Sequence, residues 1–429
     1  MDGNSSVKFM KGIYSWGVKG GLGILDQVIF SGTNFLTSVF LARLLSKDEF
    51  GQFAVGLAFL TFFTQIYTSF ALEPMSVLGP SDYSDRIAAY LMGQVTLMFL
   101  IVGPLAILLV LAFGLSNQST ETRSVLVLSS FSLPLFLFPQ LMRRIFYVLS
   151  KPGMALFGSV LYLLSLLVVY YFARQNFVLN GVNSLLLISL PGLLAGLILL
   201  ILLRMEKTVS DKINLSKILI ETWSFGRWLV VSGALIGLAT QSQIYLTGVL
   251  SNTEEAGGVR ILQTFIQPIM LTSTAFSALA TPAITSDFAS GAYGSMRQKV
   301  IVFTLVLGLI ALFYELLLIL FAGRANQILF DGKYASFADQ ISVWGLVPIL
   351  LSFFWGGMMS LQATKNYFAL LIISTCWALF SFIPALIFIP TLGAWGATIS
   401  IVTGFCAAFV STWILYGSLV WRKYLKIVG

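Results

Sequence analysis

Continuous apolar runs of close to twenty residues recur along the whole chain, and a soluble fold has no way to bury so many of them. The runs fall at 21–43, 51–72, 88–114, 124–147, 153–173, 182–204, 227–250, 258–280, 299–322, 342–362, 367–390 and 394–420. About twenty apolar residues make a helix long enough to cross the hydrocarbon core. Lipid offers no partner to backbone N–H and C=O groups, so only helices and closed barrels cross it. Barrel strands alternate polar and apolar positions over about ten residues, and these runs do not alternate. The expected fold is therefore an all-α polytopic membrane protein of about twelve transmembrane helices. Charged residues make up only 10% of the 429, against about 25% in soluble domains. The connections are short, which leaves no room for a soluble catalytic domain, so the chain is not expected to be an enzyme. No Walker A sequence is present, and Gly17 to Gly23 is glycine-rich without a preceding strand, so nucleotide chemistry is not expected either.

The net charge of +8 comes from basic residues placed between the runs. With an even number of spans both termini share a side, and 18 of the 25 Lys and Arg fall on that side. The other side holds Arg43, Lys47, Arg123, Arg174, Arg260, Arg324 and Lys333. This bias predicts cytoplasmic termini in a cytoplasmic (inner) membrane. The segment 1–19 is polar and basic with no small-residue cleavage site, so no cleaved signal peptide is expected. Residues 205–226 form the longest connection. They read as an amphipathic, basic cytoplasmic linker lying on the membrane surface. Histidine is absent, so proton coupling would have to use carboxylates. Cys376 and Cys406 sit inside apolar runs and read as small core residues rather than a disulfide or metal pair. No metal or cofactor is expected.

The two halves resemble each other. Leu44 to Gly51 matches Leu250 to Gly257 at an offset of 206, and Glu73-Pro74 matches Thr281-Pro282 at 208. Tyr147 to Pro152 matches Leu361 to Asn366 at 214. Six spans per repeat is even, so the repeats insert in the same orientation, related by an axis along the membrane normal. This predicts an N-terminal six-helix lobe over 1–204 and a C-terminal one over 227–429, joined by the linker, with a pathway at their interface.

Polar residues inside apolar helices face water, a partner or a substrate. Span one carries Asp26 beside a stripe of Gln27, Ser31, Asn34 and Ser38 on one helical face. The stripe suits a cavity lining, or glue between helices. Span two carries Gln65, Ser69 and Glu73 before Pro74, and span eight carries Arg260, Thr264 and Gln267 before Pro268. The guanidinium of Arg260 fits phosphate oxygens, or else it snorkels to the interface. Span seven offers Ser232, Thr240, Gln241 and Gln243 without a charge. Glu315 is a candidate proton site, and Arg143 with Arg144 could bind phosphate or simply anchor the cytoplasmic end.

Leu25-Asp26-Gln27 entering span one, Leu41-Ala42-Arg43-Leu44-Leu45 running into Phe50-Gly51-Gln52-Phe53, and Leu392-Gly393-Ala394-Trp395-Gly396-Ala397 opening the last span resemble one known family. They resemble polysaccharide-biosynthesis exporters of the O-antigen flippase type, within the multidrug/oligosaccharidyl-lipid/polysaccharide (MOP) exporter superfamily. The resemblance implies a MATE-like pair of pseudo-symmetric lobes around a cationic cavity. It implies translocation of an undecaprenyl-pyrophosphate-linked oligosaccharide from the cytoplasmic to the outer leaflet for surface polysaccharide synthesis, driven by a proton or Na+ gradient. On that analogy Lys19, Arg143, Arg144, Arg227 and Arg260 are candidates for the pyrophosphate or glycan acids, lined by Gln27, Asn34, Gln65 and Gln267. Asp26, Glu73 and Glu315 are the coupling candidates. The implied partners are the lipid-linked glycan, bilayer lipid, and a glycan polymerase with its chain-length machinery, but no nucleic acid. The alternative is a multidrug or organic-cation exporter of the same superfamily, which predicts acidic and aromatic lining. A membrane glycan polymerase or a scaffold stands further off.

Overall fold

The computed structural model describes residues 3–176, 179–206 and 214–425. All regular structure among them is helical: α1 (Gly3–Leu44), α2 (Lys47–Tyr67), a π-helical turn (Thr68–Leu72), α3 (Glu73–Asp82), α4 (Ile87–Gly114), α5 (Thr120–Val148), α6 (Pro152–Asn176), α7 (Asn183–Glu206), α8 (Leu215–Leu250), α9 (Thr253–Ala289), α10 (Tyr293–Phe330), α11 (Ala338–Trp344), α12 (Leu346–Ala363), α13 (Tyr367–Leu392) and α14 (Ala394–Tyr416), ending in a π-helical turn (Gly417–Leu425). Eleven helical stretches of the described residues are long and apolar enough to cross a membrane. The expected span at 258–280 lies within α9, which at 37 residues is long enough but is not among the eleven. The protein is a multi-pass membrane protein.

The second span differs from expectation. Instead of stopping at Glu73-Pro74, the helix runs on to Asp82. Pro74 has no N–H for the carbonyl of Phe70, four residues back. The chain absorbs this with the π-helical turn at Thr68–Leu72, where the N–H of Glu73 reaches back to the Thr68 carbonyl. Gly226 packs against the loosened turn. A Cβ there would stand 3.2 Å from the Phe70 oxygen and 3.3 Å from that of Ser69.

Contacts divide the chain into two units that cut across the expected lobes. One comprises residues 1–37 and 67–229, the other 38–66 and 230–429. In the first, α5 packs on α4, α6 and α7. The start of α8 also belongs to it and takes in the second half of the expected linker at 205–226. Residues 207–213 lie outside the described ones, but 215–226 are the opening turns of α8. Ile218, Thr222 and Gly226 are buried on one face of it. Thr222 accepts from Gln94 at 3.2 Å, and Tyr83 donates to Glu221.

In the second unit α12 packs on α9, α10 and α14, and α13 on α14. Here the internal repeat becomes physical. Ser46 and Glu49 form a reciprocal capping box at the start of α2. Asn252, 206 positions on, caps α9 by accepting from the Glu255 N–H at 2.9 Å. The two helix starts then cross at glycines. A Cβ on Gly51 would run into the Thr253 carbonyl, and one on Gly257 would stand 3.2 Å from the Lys47 carbonyl oxygen. Thr253 and Gly257 are the repeat equivalents of Lys47 and Gly51, so the contact is reciprocal, as across a two-fold axis. Side chains repeat the pattern: Lys47 pairs with Glu254 at 2.9 Å, and Thr253 donates to Asp48.

The third sequence match is also mirrored. The α5–α6 and α12–α13 connections each have three residues, with Ser150 (φ 58°) and Lys365 (φ 57°) in the middle, left-handed. In both, the next N–H bonds five residues back, Lys151 to Phe146 and Asn366 to Leu361. Both connections are therefore Schellman turns built without glycine.

Candidate functional site

Each unit buries an arginine among polar side chains. In the first unit Asp26 is fully buried on α1. Arg143 of α5 pairs with its Oδ2 at 2.7 Å, the Tyr147 hydroxyl donates to the same oxygen at 2.5 Å, and the Ser159 hydroxyl of α6 donates to Oδ1. Arg143 and Tyr147 are one helical turn apart, so both reach the same carboxylate. The guanidinium also lies over the Phe30 ring, 3.8 Å from its centre, and its Nε is buried without a partner among the described residues. Asp26 thus has its charge and both oxygens engaged, which makes it an anchor between α1, α5 and α6. Arg144 turns the other way, donating to the Leu72 carbonyl at 3.5 Å within electrostatic reach of Glu73. It serves the carbonyls of the π-helical turn.

In the second unit Arg260 is 8% exposed. It donates from Nη2 to Ser38 at 3.2 Å and from Nη1 to Gln263 at 3.3 Å. Among the described residues its Nε has no partner and no ion pair includes it. The snorkelling alternative does not hold, because the side chain is enclosed by protein. Gln263 donates on to the Thr240 carbonyl of α8 at 3.3 Å. The adjoining turn of α8 carries three further unsatisfied atoms, Gln241 Oε1, Ser242 Oγ and Gln243 Oε1. Buried polar groups without partners are costly, and a buried guanidinium with no counter-charge among the described residues suits an anion. The free edge of the fork can engage a phosphate or carboxylate.

Glu315 on α10 is 5% exposed, with Oε2 unpartnered among the described residues. It packs against Gly345, where any Cβ would overlap the carboxylate. Outside the spans, Lys333 donates to the Ala42 carbonyl at 3.2 Å and to that of Leu45. It caps the end of α1, and burial holds its ammonium below the ordinary lysine value.

The remaining sequence candidates scatter. Lys19 and Arg227 are exposed. Gln27 donates to Ser31 at 3.2 Å, within its own stripe. Asn34 borders a small pocket with Phe30, Gln140 and Tyr162. Gln65 flanks Gly237, and Gln267 is half-buried two turns along α9 from Arg260. The residues missed by sequence are the neutral partners. Tyr147 was signalled by its spacing from Arg143, whereas Ser159, Gln263 and Gly345 carry no local signal.

Comparison with known proteins adds two findings. A family profile described as polysaccharide biosynthesis protein matches residues 20–286. Among solved structures, the chain resembles an inward-facing multidrug resistance MATE family transporter of the MOP superfamily, with a TM-score of 0.70 at 15% identity, over 92% of this chain and 95% of that one. A eukaryotic MATE transporter aligns with a TM-score of 0.69 at 15% identity over 98% of both chains. A MOP superfamily transporter from Pyrococcus furiosus, described as having a binding pocket of reverse polarity, aligns at 0.64 and 15%, over 94% of this chain and 95% of that one. No curated protein sequence matches.

Proposed function

Because the chain belongs to the polysaccharide biosynthesis protein family and has the fold of MATE transporters, we propose that it is a flippase for a lipid-linked oligosaccharide. The cargo is an undecaprenyl-pyrophosphate-linked glycan, moved from the cytoplasmic to the outer leaflet of the cytoplasmic membrane for surface polysaccharide synthesis. The observation that supports this reading most is Arg260, nine-tenths buried, with its Nε unpartnered and no counter-charge among the described residues. An organic-cation exporter needs carboxylates where this chain has a guanidinium. The polar headgroup would pass along hydrated protein while the lipid tail stays in the bilayer. Glu315, buried and unpartnered, is the better coupling carboxylate in this scheme, because Asp26 is already saturated by Arg143, Tyr147 and Ser159. The reading calls for no cofactor and no catalytic residue, and it places a glycan polymerase downstream.

The test is Arg260→Ala in cells whose surface polysaccharide depends on this chain. Losing a charged hydrogen-bond donor costs about 1.5–3 kcal/mol, so export should fall by about 10- to 100-fold while protein level holds. Undiminished surface glycan at normal protein level removes Arg260 from the pathway.

A further inference from the structure

The starts of α2, α9 and α14, together with the approach to α11, border a cavity of about 540 Å³ on the side poor in Lys and Arg. That volume lies within the range of small-molecule pockets. We propose that it is a saccharide subsite taking one or two sugar rings as the glycan emerges. The inference rests on the flippase reading for the identity of the cargo, and on the cavity itself for the binding chemistry.

Three features carry it. First, Trp395 borders the cavity and is 43% exposed, so its indole face is open to a ligand. A flat aromatic face suits the C–H face of a pyranose, an apolar body with polar edges. Second, Gln340 borders the cavity although the residue is only 3% exposed. One end of its amide is fixed by Thr398 at 2.6 Å. Thr398 is in turn held by the Trp344 indole at 2.8 Å. The amide nitrogen donates to no described group, so a rigidly oriented donor is left unused where a ligand hydroxyl would sit. Third, Asp48, Glu254 and Asn252 line the same wall. Paired carboxylates and an amide grip vicinal hydroxyls well, and they disfavour phosphate. The pyrophosphate is therefore handled elsewhere and the sugar here. Asp48 and Glu254 are also the carboxylates of the crossed pairs with Thr253 and Lys47. A sugar hydroxyl competing for them would loosen the α2–α9 crossing as the ligand arrives.

The test uses the full chain in lipid nanodiscs and saturation-transfer difference NMR, with methyl glucoside, methyl galactoside and methyl N-acetylglucosaminide as probes and spermidine as the counter-probe. Transfer to the ring protons of at least one glycoside is expected. Trp395→Ala should weaken it about tenfold, the equivalent of about 1.4 kcal/mol of aromatic contact. Trp395→Phe keeps a smaller platform and should retain most of it, which separates lost stacking from lost folding. No transfer to any glycoside, equal transfer in wild type and Trp395→Ala, or transfer to spermidine alone overturns the subsite. Failure of the flippase reading shows differently, as surface polysaccharide that is unchanged when the whole chain is deleted, and can occur with glycoside binding intact.

Discussion

A carboxylate and a guanidinium inside apolar helices each cost roughly 2.5–3.5 kcal/mol on insertion scales, and the chain handles the two in opposite ways. Asp26 has its charge met by Arg143 and its remaining acceptor sites filled by two hydroxyls. Removing one member of such a pair leaves the other buried and uncompensated. Arg143→Ala should therefore destabilise the protein by about 3–5 kcal/mol, read as lost thermal stability in detergent. Asp26→Leu combined with Arg143→Met should recover most of that loss. A double variant as damaged as the sum of its singles would mean that the pair does not act as a unit. Arg260 receives only neutral acceptors, which suits a group whose proper partner arrives from outside.

At the scale of elements, the legible part of the sequence was the part written in local signals. Run length located the helices, and the Leu44–Gly51 and Leu250–Gly257 matches marked two helix starts whose caps the structure shows to be equivalent. Glu73-Pro74 misled, because a proline ends a helix only where the freed carbonyls lack other partners. Here a π-helical turn, Gly226 and Arg144 accommodate them. The Asp26 site was half legible: the charges were visible, but Ser159 lies 133 positions away and only packing brings it near. The crossing of α2 and α9 makes a graded prediction. Gly51→Ala drives a Cβ into a backbone carbonyl that cannot yield, whereas Gly257→Ala meets atoms at 3.2 Å that need move only a few tenths of an ångström. Gly51→Ala should therefore lower folded yield in membranes clearly more than Gly257→Ala. The reverse order would mean that the crossing is not the close contact described.

For the whole molecule, the distribution of Lys and Arg makes the clearest demand. With 18 of 25 on one side, both termini should face the cytoplasm. Fusions of a periplasm-active phosphatase to either end should be silent, and a fusion in the loop around Ser336 should be active. An active terminal fusion reverses the assignment of the saccharide cavity to the outer face. The same molecule-wide view gives Arg260 a cellular consequence. A folded state that carries an unmet positive charge in its interior is less stable empty than loaded, because anything that binds only the native form stabilises it. Quality-control proteases sample the unfolded fraction, and changes of about 1–2 kcal/mol alter steady-state abundance several-fold. Cells that cannot synthesise the lipid-linked glycan should therefore hold less of this protein. An Arg260→Met variant, with nothing left to neutralise, should persist at the same level whether or not the precursor is made, so that the supply of cargo sets how many carriers survive.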